Sequence, residues 1–549
     1  MDYDGLAVCS GIDHISGLWR TELKKSILAQ VVLFLAGTTV FFAENLPEQR
    51  VINISVSNHV YNMDPMTAAY TAEAELFTGL YEGLFSYDPA NLNPIPAICT
   101  SYKISRDKKR WTFNLRQNAA FSDGTPIKAQ DVKDSWITLL STKNAPFASL
   151  IDSITGAQEF REGRLAADKV RIDVRDEHTL VVHLKEPMGH LAKILCHHAF
   201  SIISPKKDVY SGPFVLKKAD SSEIMLEKNS NYWDHENVKI PGITFHIGDD
   251  YAENSFKFNT GEFDWVCGNA DFSKIINKTK LQMGAEFGTV YLFFKMQNYP
   301  WTQKEFRNAL IEAVPFDELR KNFSIHAETF INPLPGYPSV TGISDWDLSD
   351  AKEMMSKARK RYGIGEDEKL QIVFAVISGD EHLKAWGELL KEAWAPLGVE
   401  LTMQNTTADR YNSSIPAWNA DLFYYSWIGD FADPLAFLEL FRGNSSLNVS
   451  RWINAEYDDL LVNAMRLENT EEQYRLMAKA EQIVLDDGVI IPVSHPVSGH
   501  LIDTEIIGGW KTNALDVHPL KYLYIKETPR MKIPNLVKHS FQIQFFVDV

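Results

Sequence analysis

The first candidate for chemistry is an acidic side chain with no local structural duty. It is Asp430, inside Ser426-Trp-Ile-Gly-Asp-Phe-Ala-Asp-Pro434. Ahead of it, Asp421-Leu-Phe-Tyr-Tyr-Ser-Trp427 has the length and aromatic content of a β-strand. Behind it, Pro434-Leu-Ala-Phe-Leu-Glu-Leu-Phe441 reads as one apolar helical face closed by Gly443. Asp433 then serves as the helix N-cap and Pro434 as the first helical residue, where a missing N–H costs nothing. Asp430 remains in the turn, a carboxylate placed to meet a cation.

A second candidate is His382. Ser378-Gly-Asp-Glu381 reads as a capping box, with Ser378 at the N-cap and Glu381 three residues on. Leu383, Trp386, Leu390, Trp394 and Leu397 form the buried face of the helix that follows, which ends near Gly398. His382 falls in its first turn, where free N–H groups and the helix dipole favour an anion, although Asp380 and Glu381 add opposing charge.

Enzyme signatures are missing. The chain has no H-E-x-x-H, no G-x-S-x-G, no P-loop and no dinucleotide fingerprint. Asp345, Asp347 and Asp350 are explained by capping a helix that starts near Ala351 rather than by calcium. His197-His198, His59, His235 and His246 lack ligand spacing and read as core or surface histidines. No metal or cofactor is expected. Cys9 lies near the N-terminus; Cys99, Cys196 and Cys267 are widely spaced and read as buried thiols, with at most one disulfide among them.

These residues need a large scaffold. The chain has 549 residues, 45% of them hydrophobic, and a formal net charge of −17. That length supports two or three packed lobes, and that charge argues against nucleic acid as a partner. Lys24 and Lys25, the apolar run Ser26–Ala43 and the polar Glu44 have the parts of an export signal, near residues 24–43. Some twenty residues precede the lysines, more than a typical signal carries, so a start codon nearer the lysines is expected; bulky Phe41 makes Ala43 an imperfect cleavage site. In Leu35-Ala-Gly-Thr38 a Thr stands where a lipoprotein signal carries its acylated Cys, so a soluble exported protein is expected.

The exported part opens with a strand-like Val51-Ile-Asn-Ile-Ser-Val56 and a turn at Met63-Asp-Pro65. Trp111, Phe113 and Leu115 then alternate as a half-buried strand does, Ser122-Asp-Gly-Thr125 is turn chemistry, and Ala129 to Trp136 starts a helix. The order of elements is mixed α/β.

Trp111-Thr-Phe-Asn-Leu-Arg116, Phe121-Ser-Asp-Gly-Thr-Pro126 and Ala129-Gln-Asp-Val-Lys-Asp-Ser-Trp136 resemble, in order and spacing, the extracellular solute-binding proteins of the oligopeptide/dipeptide/nickel group. These are the receptor components of ABC importers. Asp176-Glu-His-Thr-Leu-Val-Val-His-Leu-Lys-Glu-Pro187, Ser211-Gly-Pro-Phe-Val-Leu216, Asn231-Tyr-Trp233, Phe306-Arg-Asn-Ala-Leu310 and Ala480-Glu-Gln-Ile-Val-Leu-Asp-Asp487 continue the match over roughly residues 50–525. Ile154-Thr-Gly-Ala-Gln-Glu-Phe-Arg-Glu-Gly163 resembles the oligopeptide-binding branch.

The resemblance implies a two-lobed α/β periplasmic-binding-protein fold with hinged crossover strands and an extra domain. It places an N-terminal extension and signal at 1–43, the first lobe at 46–92, 201–288 and 500–525, the extra domain at 93–200, the second lobe at 289–499, and a C-terminal extension at 526–549. It gives Asp430 the ligand's α-ammonium, Trp427 a pocket wall, and His382 the ligand carboxylate for one peptide length. Tyr424 stands where relatives place an Arg that clamps the carboxylate, and Phe147 where a Tyr helps hold the ammonium. Losing that Arg removes a bidentate carboxylate site. The implied protein is a monomeric, non-enzymatic periplasmic receptor that passes short peptides to an inner-membrane ABC permease. Open alternatives keep the fold with a peptidoglycan-derived tripeptide, a dipeptide or a metal chelate as ligand, or make the chain a secreted hydrolase.

Overall fold

The computed structural model describes residues 50–526, apart from Asp430, Glu468 and the side chains of Asp409, Asn412 and Ser413. The Asp430 site, Cys9, the export signal at 24–43 and residues 527–549 of the C-terminal extension therefore lie outside the described residues.

Three sheets carry the architecture. The first has seven strands in the spatial order Leu281–Ala285, Val497–Ile502, Trp265–Cys267, Ile52–Val56, Gly242–Ile247, Glu223–Lys228 and Phe214–Ala219. Ile52–Val56 pairs in parallel with both of its neighbours. Every residue of that strand but Asn53 is buried, as expected for a sheet covered on both faces. The second sheet has five strands, ordered Val399–Thr406, Leu370–Ile377, Leu422–Ile428, Gly288–Phe294 and Ile490–Ser494. The third is antiparallel, with four strands: Cys99–Ile104, Arg110–Leu115, Thr179–His183 and Ile172–Asp176.

The chain passes between the first two sheets at two short connections. Leu281–Ala285 runs through Glu286 and Phe287 into Gly288–Phe294, and Ile490–Ser494 runs through His495 and Pro496 into Val497–Ile502. The connections are bonded to each other: the Glu286 N–H donates to the Pro496 carbonyl at 3.0 Å. His495 Nδ1 lies 2.9 Å from the Gly288 carbonyl, an acceptor only, so that nitrogen carries the proton.

The alternation in Arg110–Leu115 is realised: Trp111, Phe113 and Leu115 are buried while Arg110, Thr112 and Asn114 face outward. The helix Ala129–Ser141 begins where expected and buries Val132, Trp136, Leu139 and Leu140. Asp347 accepts from the N–H groups of Ser349 and Asp350 and caps Leu348–Tyr362, with Asp350 in its first turn; the helix starts three residues before Ala351, and Asp345 makes no capping bond. Cys99 and Cys196 are buried free thiols; Cys267 is also free but only partly buried.

Two local expectations are corrected. The helix Glu381–Trp394 is capped by Asp380, whose carboxylate accepts from the N–H groups of His382 and Leu383, and not by Ser378. Ser378 still donates its N–H to Thr406 alongside the preceding strand, and Gly379 at φ +85° delays the helix past it. The second correction concerns Pro434–Phe441. It is a single turn, Leu435–Leu438, followed by a 3₁₀ turn, Glu439–Phe441. Every residue in those turns is buried, so the run is apolar because it is enclosed, not because it presents one face. Pro434, not Asp433, is the N-cap and Leu435 the first helical residue, and the Asp433 carboxylate accepts from the Leu435 N–H at 3.1 Å one position outside the cap.

Candidate functional site

A cavity of about 420 Å³ lies between the two main lobes, within the size range of small-molecule sites. One wall comes from the helix Thr71–Leu80, which buries Leu76, Phe77 and Leu80 and turns Thr71, Ala74 and Thr78 toward the cavity. The chain from Tyr81 to Tyr87 continues that wall, and Phe147, Cys196, His197 and His198 close one end. The opposite wall is the end of the strand Leu422–Ile428, with Tyr411 and Ile377 beside it. Leu515, Val517 and Lys521 form the remaining side.

The strand wall has an open edge. On one side Leu422–Ile428 is paired with Gly288–Phe294 along its full length. On the other it meets Leu370–Ile377 only at Phe374↔Leu422, and the Tyr424 N–H is taken by the Tyr411 hydroxyl at 2.9 Å. From Ser426 to Ile428 that edge has no strand neighbour among the described residues, and Tyr425 to Gly429 line the cavity. Such an edge is a template for an extended chain.

Aromatic rings hold the wall rigid. Tyr425 and Trp427 stack with centroids 6.1 Å apart, and the Trp427 indole N–H donates to Ala436 O at 3.1 Å. Phe147 packs 4.2 Å from His197 and 6.3 Å from Trp427, spanning the cleft. Burial pushes His198 down to about 4 and holds His197 well below its ordinary value, so both imidazoles are neutral at neutral pH.

The charges in the wall satisfy each other. The Glu82 carboxylate accepts from the Trp233 indole at 2.6 Å, from the Tyr232 hydroxyl, and from Lys521 Nζ at 3.2 Å. Burial alone lowers the affinity of Lys521 for its proton; the Glu82 carboxylate outweighs it and the ammonium is held above its usual range.

Trp427, Tyr424 and Phe147 thus meet in one cavity. His382 does not join them: its side chain is exposed and outside the lining, and only its backbone N–H is engaged, by Asp380. Asp430 lies outside the described residues, between the lining residue Gly429 and the buried Phe431. Glu82, Lys521, Tyr411 and Tyr425 were not singled out from the sequence. Glu82 carries a readable signal, an acid inside the apolar Leu80-Tyr-Glu-Gly-Leu-Phe85; Lys521 carries none.

Behind the cavity wall, His500, Asp516 and His518 bring one potential ligand atom each within 4.8 Å of one another. The Trp265 indole donates to His500 Nδ1 at 3.1 Å, so Nε2 bears the proton and donates to Asp516 at 2.8 Å. That arrangement is a hydrogen-bond chain that orients a carboxylate, with the His500 nitrogens already committed.

The sequence profile of the bacterial extracellular solute-binding proteins, family 5 Middle, matches residues 93–448. The dipeptide-binding protein DppE of Bacillus subtilis is 25% identical over 508 residues, covering 87% of this chain and 91% of its own. The solved murein tripeptide binding protein MppA of Escherichia coli, 24% identical, superimposes over 88% of this chain and all of its own with a TM-score of 0.78; its unliganded open form gives 0.62. Haemophilus influenzae OppA in complex with RPPGFSPFR, 21% identical, gives 0.77 over 88% of this chain and all of its own. The two-lobed periplasmic-binding-protein fold, with its strands crossing between lobes, is therefore established. By the profile match over most of its length, the chain belongs to the bacterial extracellular solute-binding proteins of family 5.

Proposed function

We propose that this protein is the receptor of an ABC importer, closing its two lobes over a short peptide and delivering it to an inner-membrane permease. One observation carries the reading: the strand edge from Ser426 to Ile428 opens on the cavity between the lobes, where a peptide backbone can pair as an added strand without its side chains being read. Asp430, which follows the lining residue Gly429 in the sequence, receives the ligand's α-ammonium. A charge-assisted bond there contributes about 1.5–3 kcal/mol. We assign the lobes as 46–92 with 201–288 and 500–525, and as 289–499, with 93–200 as the extra domain. The protein acts as an exported monomer without enzymatic activity. Among the described residues no helix is long and apolar enough to cross a membrane.

Calorimetry with tripeptides and their N-acetylated forms tests this. Free-amine peptides bind and acetylated ones lose at least about tenfold, as does Asp430→Asn toward free-amine peptides. Equal binding of both forms removes Asp430 from the role, and a peptide consumed during titration points to a hydrolase instead.

A peptidoglycan-derived tripeptide is the second reading. It is favoured by the likeness to MppA and by Tyr424, since an uncharged residue there leaves the position without a carboxylate clamp. Competition between a murein tripeptide and an all-L tripeptide separates the two.

A further inference from the structure

The strand edge explains how a peptide is held but not which peptides are admitted; the charge ledger of the cavity does. Resting on the peptide reading, we propose that this cleft selects peptides with uncharged, apolar or aromatic side chains and rejects acidic ones, because Glu82 already occupies the one lysine of its wall. Among the described lining residues, Glu82 and Lys521 are the only side chains that are formally charged at neutral pH. Lys521 Nζ has Glu82 Oε1 and the Tyr232 hydroxyl at 3.2 Å each, with the faces of Trp233 and Tyr522 at 5.4 and 5.1 Å. The other Glu82 oxygen is held by the Trp233 indole, and Arg116 stacks on that indole at 3.6 Å. The pair is closed on itself and shielded by rings, so it offers nothing to an incoming carboxylate.

Among the described lining residues no other cation replaces it. His197 and His198 are kept neutral by burial. Arg410 adjoins the lining residue Tyr411 in sequence, but its side chain is exposed and outside the lining. At 424, inside the cavity, the side chain is a tyrosine whose backbone N–H is locked by Tyr411. A ligand carboxylate brought against this wall gives up its hydration without an ionic partner, which is costly. The cavity as a whole is lined by Phe77, Phe85, Phe147, Tyr411, Tyr425 and Trp427, rings whose apolar surface rewards apolar and aromatic groups.

The test uses near-isosteric pairs on the purified protein: Ala-Gln-Ala against Ala-Glu-Ala, with Ala-Phe-Ala as reference, by calorimetry at pH 7. Ala-Phe-Ala binds tightest, and Ala-Glu-Ala binds at least about tenfold more weakly than Ala-Gln-Ala. Tyr424→Arg supplies the missing cation and narrows the Gln/Glu ratio to about twofold or reverses it. Glu82→Gln, which frees Lys521, does the same if circular dichroism shows it folded; if it does not fold, Tyr424→Arg decides. Equal binding of the Glu and Gln peptides by the wild type overturns the charge exclusion while the peptide reading stands. If none of the three binds, the peptide reading itself fails and this inference falls with it.

Discussion

Glu286 sits on one of the two connections between the lobes, nearly fully buried, and its acidity is set by that position. Burial first, and the nearby Asp516 second, raise its pKa from the model-compound value to about 8. An acid whose folded pKa is raised holds its proton longer in the folded chain than in the unfolded one. Its contribution is complete below about pH 4.3, the unfolded value, and is lost as pH climbs toward 8. Gln at this position is neutral throughout. Glu286→Gln should therefore melt with the wild type near pH 5 and a few degrees above it near pH 8.5, by thermal denaturation across that range; about 2 °C or more is expected. A constant offset at all pH values would mean the carboxyl is hydrated in the fold. Nothing in Glu286-Phe-Gly288 announces this in the sequence, because the backbone partners of Glu286 and Phe287, Pro496 and Ala514, lie more than two hundred residues away. Trp427, Tyr424 and Phe147 were legible as a group because each sits in a motif; the Glu82–Lys521 pair was not, because its halves are 439 residues apart.

Elements whose pattern is local were read well, and those shaped by enclosure were not. Trp111, Phe113 and Leu115 alternate in the sequence and alternate in the sheet. Leu435–Phe441 misled because a fully buried turn and an amphipathic helix share the same apolar letters. The helix beginning at Glu381 shows a finer limit: Ser378 and Asp380 are both good N-caps, and only the left-handed Gly379 between them decides for Asp380. The structure makes the two residues separable by experiment. Asp380→Ala should cost about 1 kcal/mol, since it strips the acceptor from two first-turn N–H groups. Ser378→Ala should stay within about 0.5 kcal/mol, as for a surface position without such a role. Denaturant melts of the two variants check the register; equal losses, or a larger one at Ser378, would restore the earlier reading.

At the scale of the whole molecule, contacts outside the cavity lining join the region of the five-stranded sheet to that of the four-stranded sheet. The segment Asn444-Ser-Ser446, from the lobe built on the five-stranded sheet, docks on residues 146–161 of the four-stranded region. Ser446 Oγ lies 2.7 Å from the Pro146 carbonyl and 2.9 Å from Ser149 Oγ, and the Ser446 N–H donates to Ser149 Oγ at 3.2 Å. Arg161, bonded to Asp152, reaches the Asn444 carbonyl at 3.1 Å. Farther out, Arg466 pairs with Glu186 at 3.0 Å, an exposed contact worth little on its own. On the peptide reading, these bonds stabilise this arrangement of the lobes whichever peptide is inside, so they set affinity without setting preference. Removing them lowers the population of the binding-competent state, and apparent affinity falls in proportion. Each net hydrogen bond contributes about 0.5–1.5 kcal/mol, and three of those named are lost, so Ser446→Ala combined with Arg161→Ala should weaken binding by at least roughly tenfold. The factor should be the same for Ala-Phe-Ala and Ala-Gln-Ala, and small-angle scattering of the unliganded variant should show a radius of gyration no smaller than that of the wild type. A loss that differs between the two peptides would place this segment inside the recognition site, and unchanged affinity would mean that the ligand alone holds the lobes together.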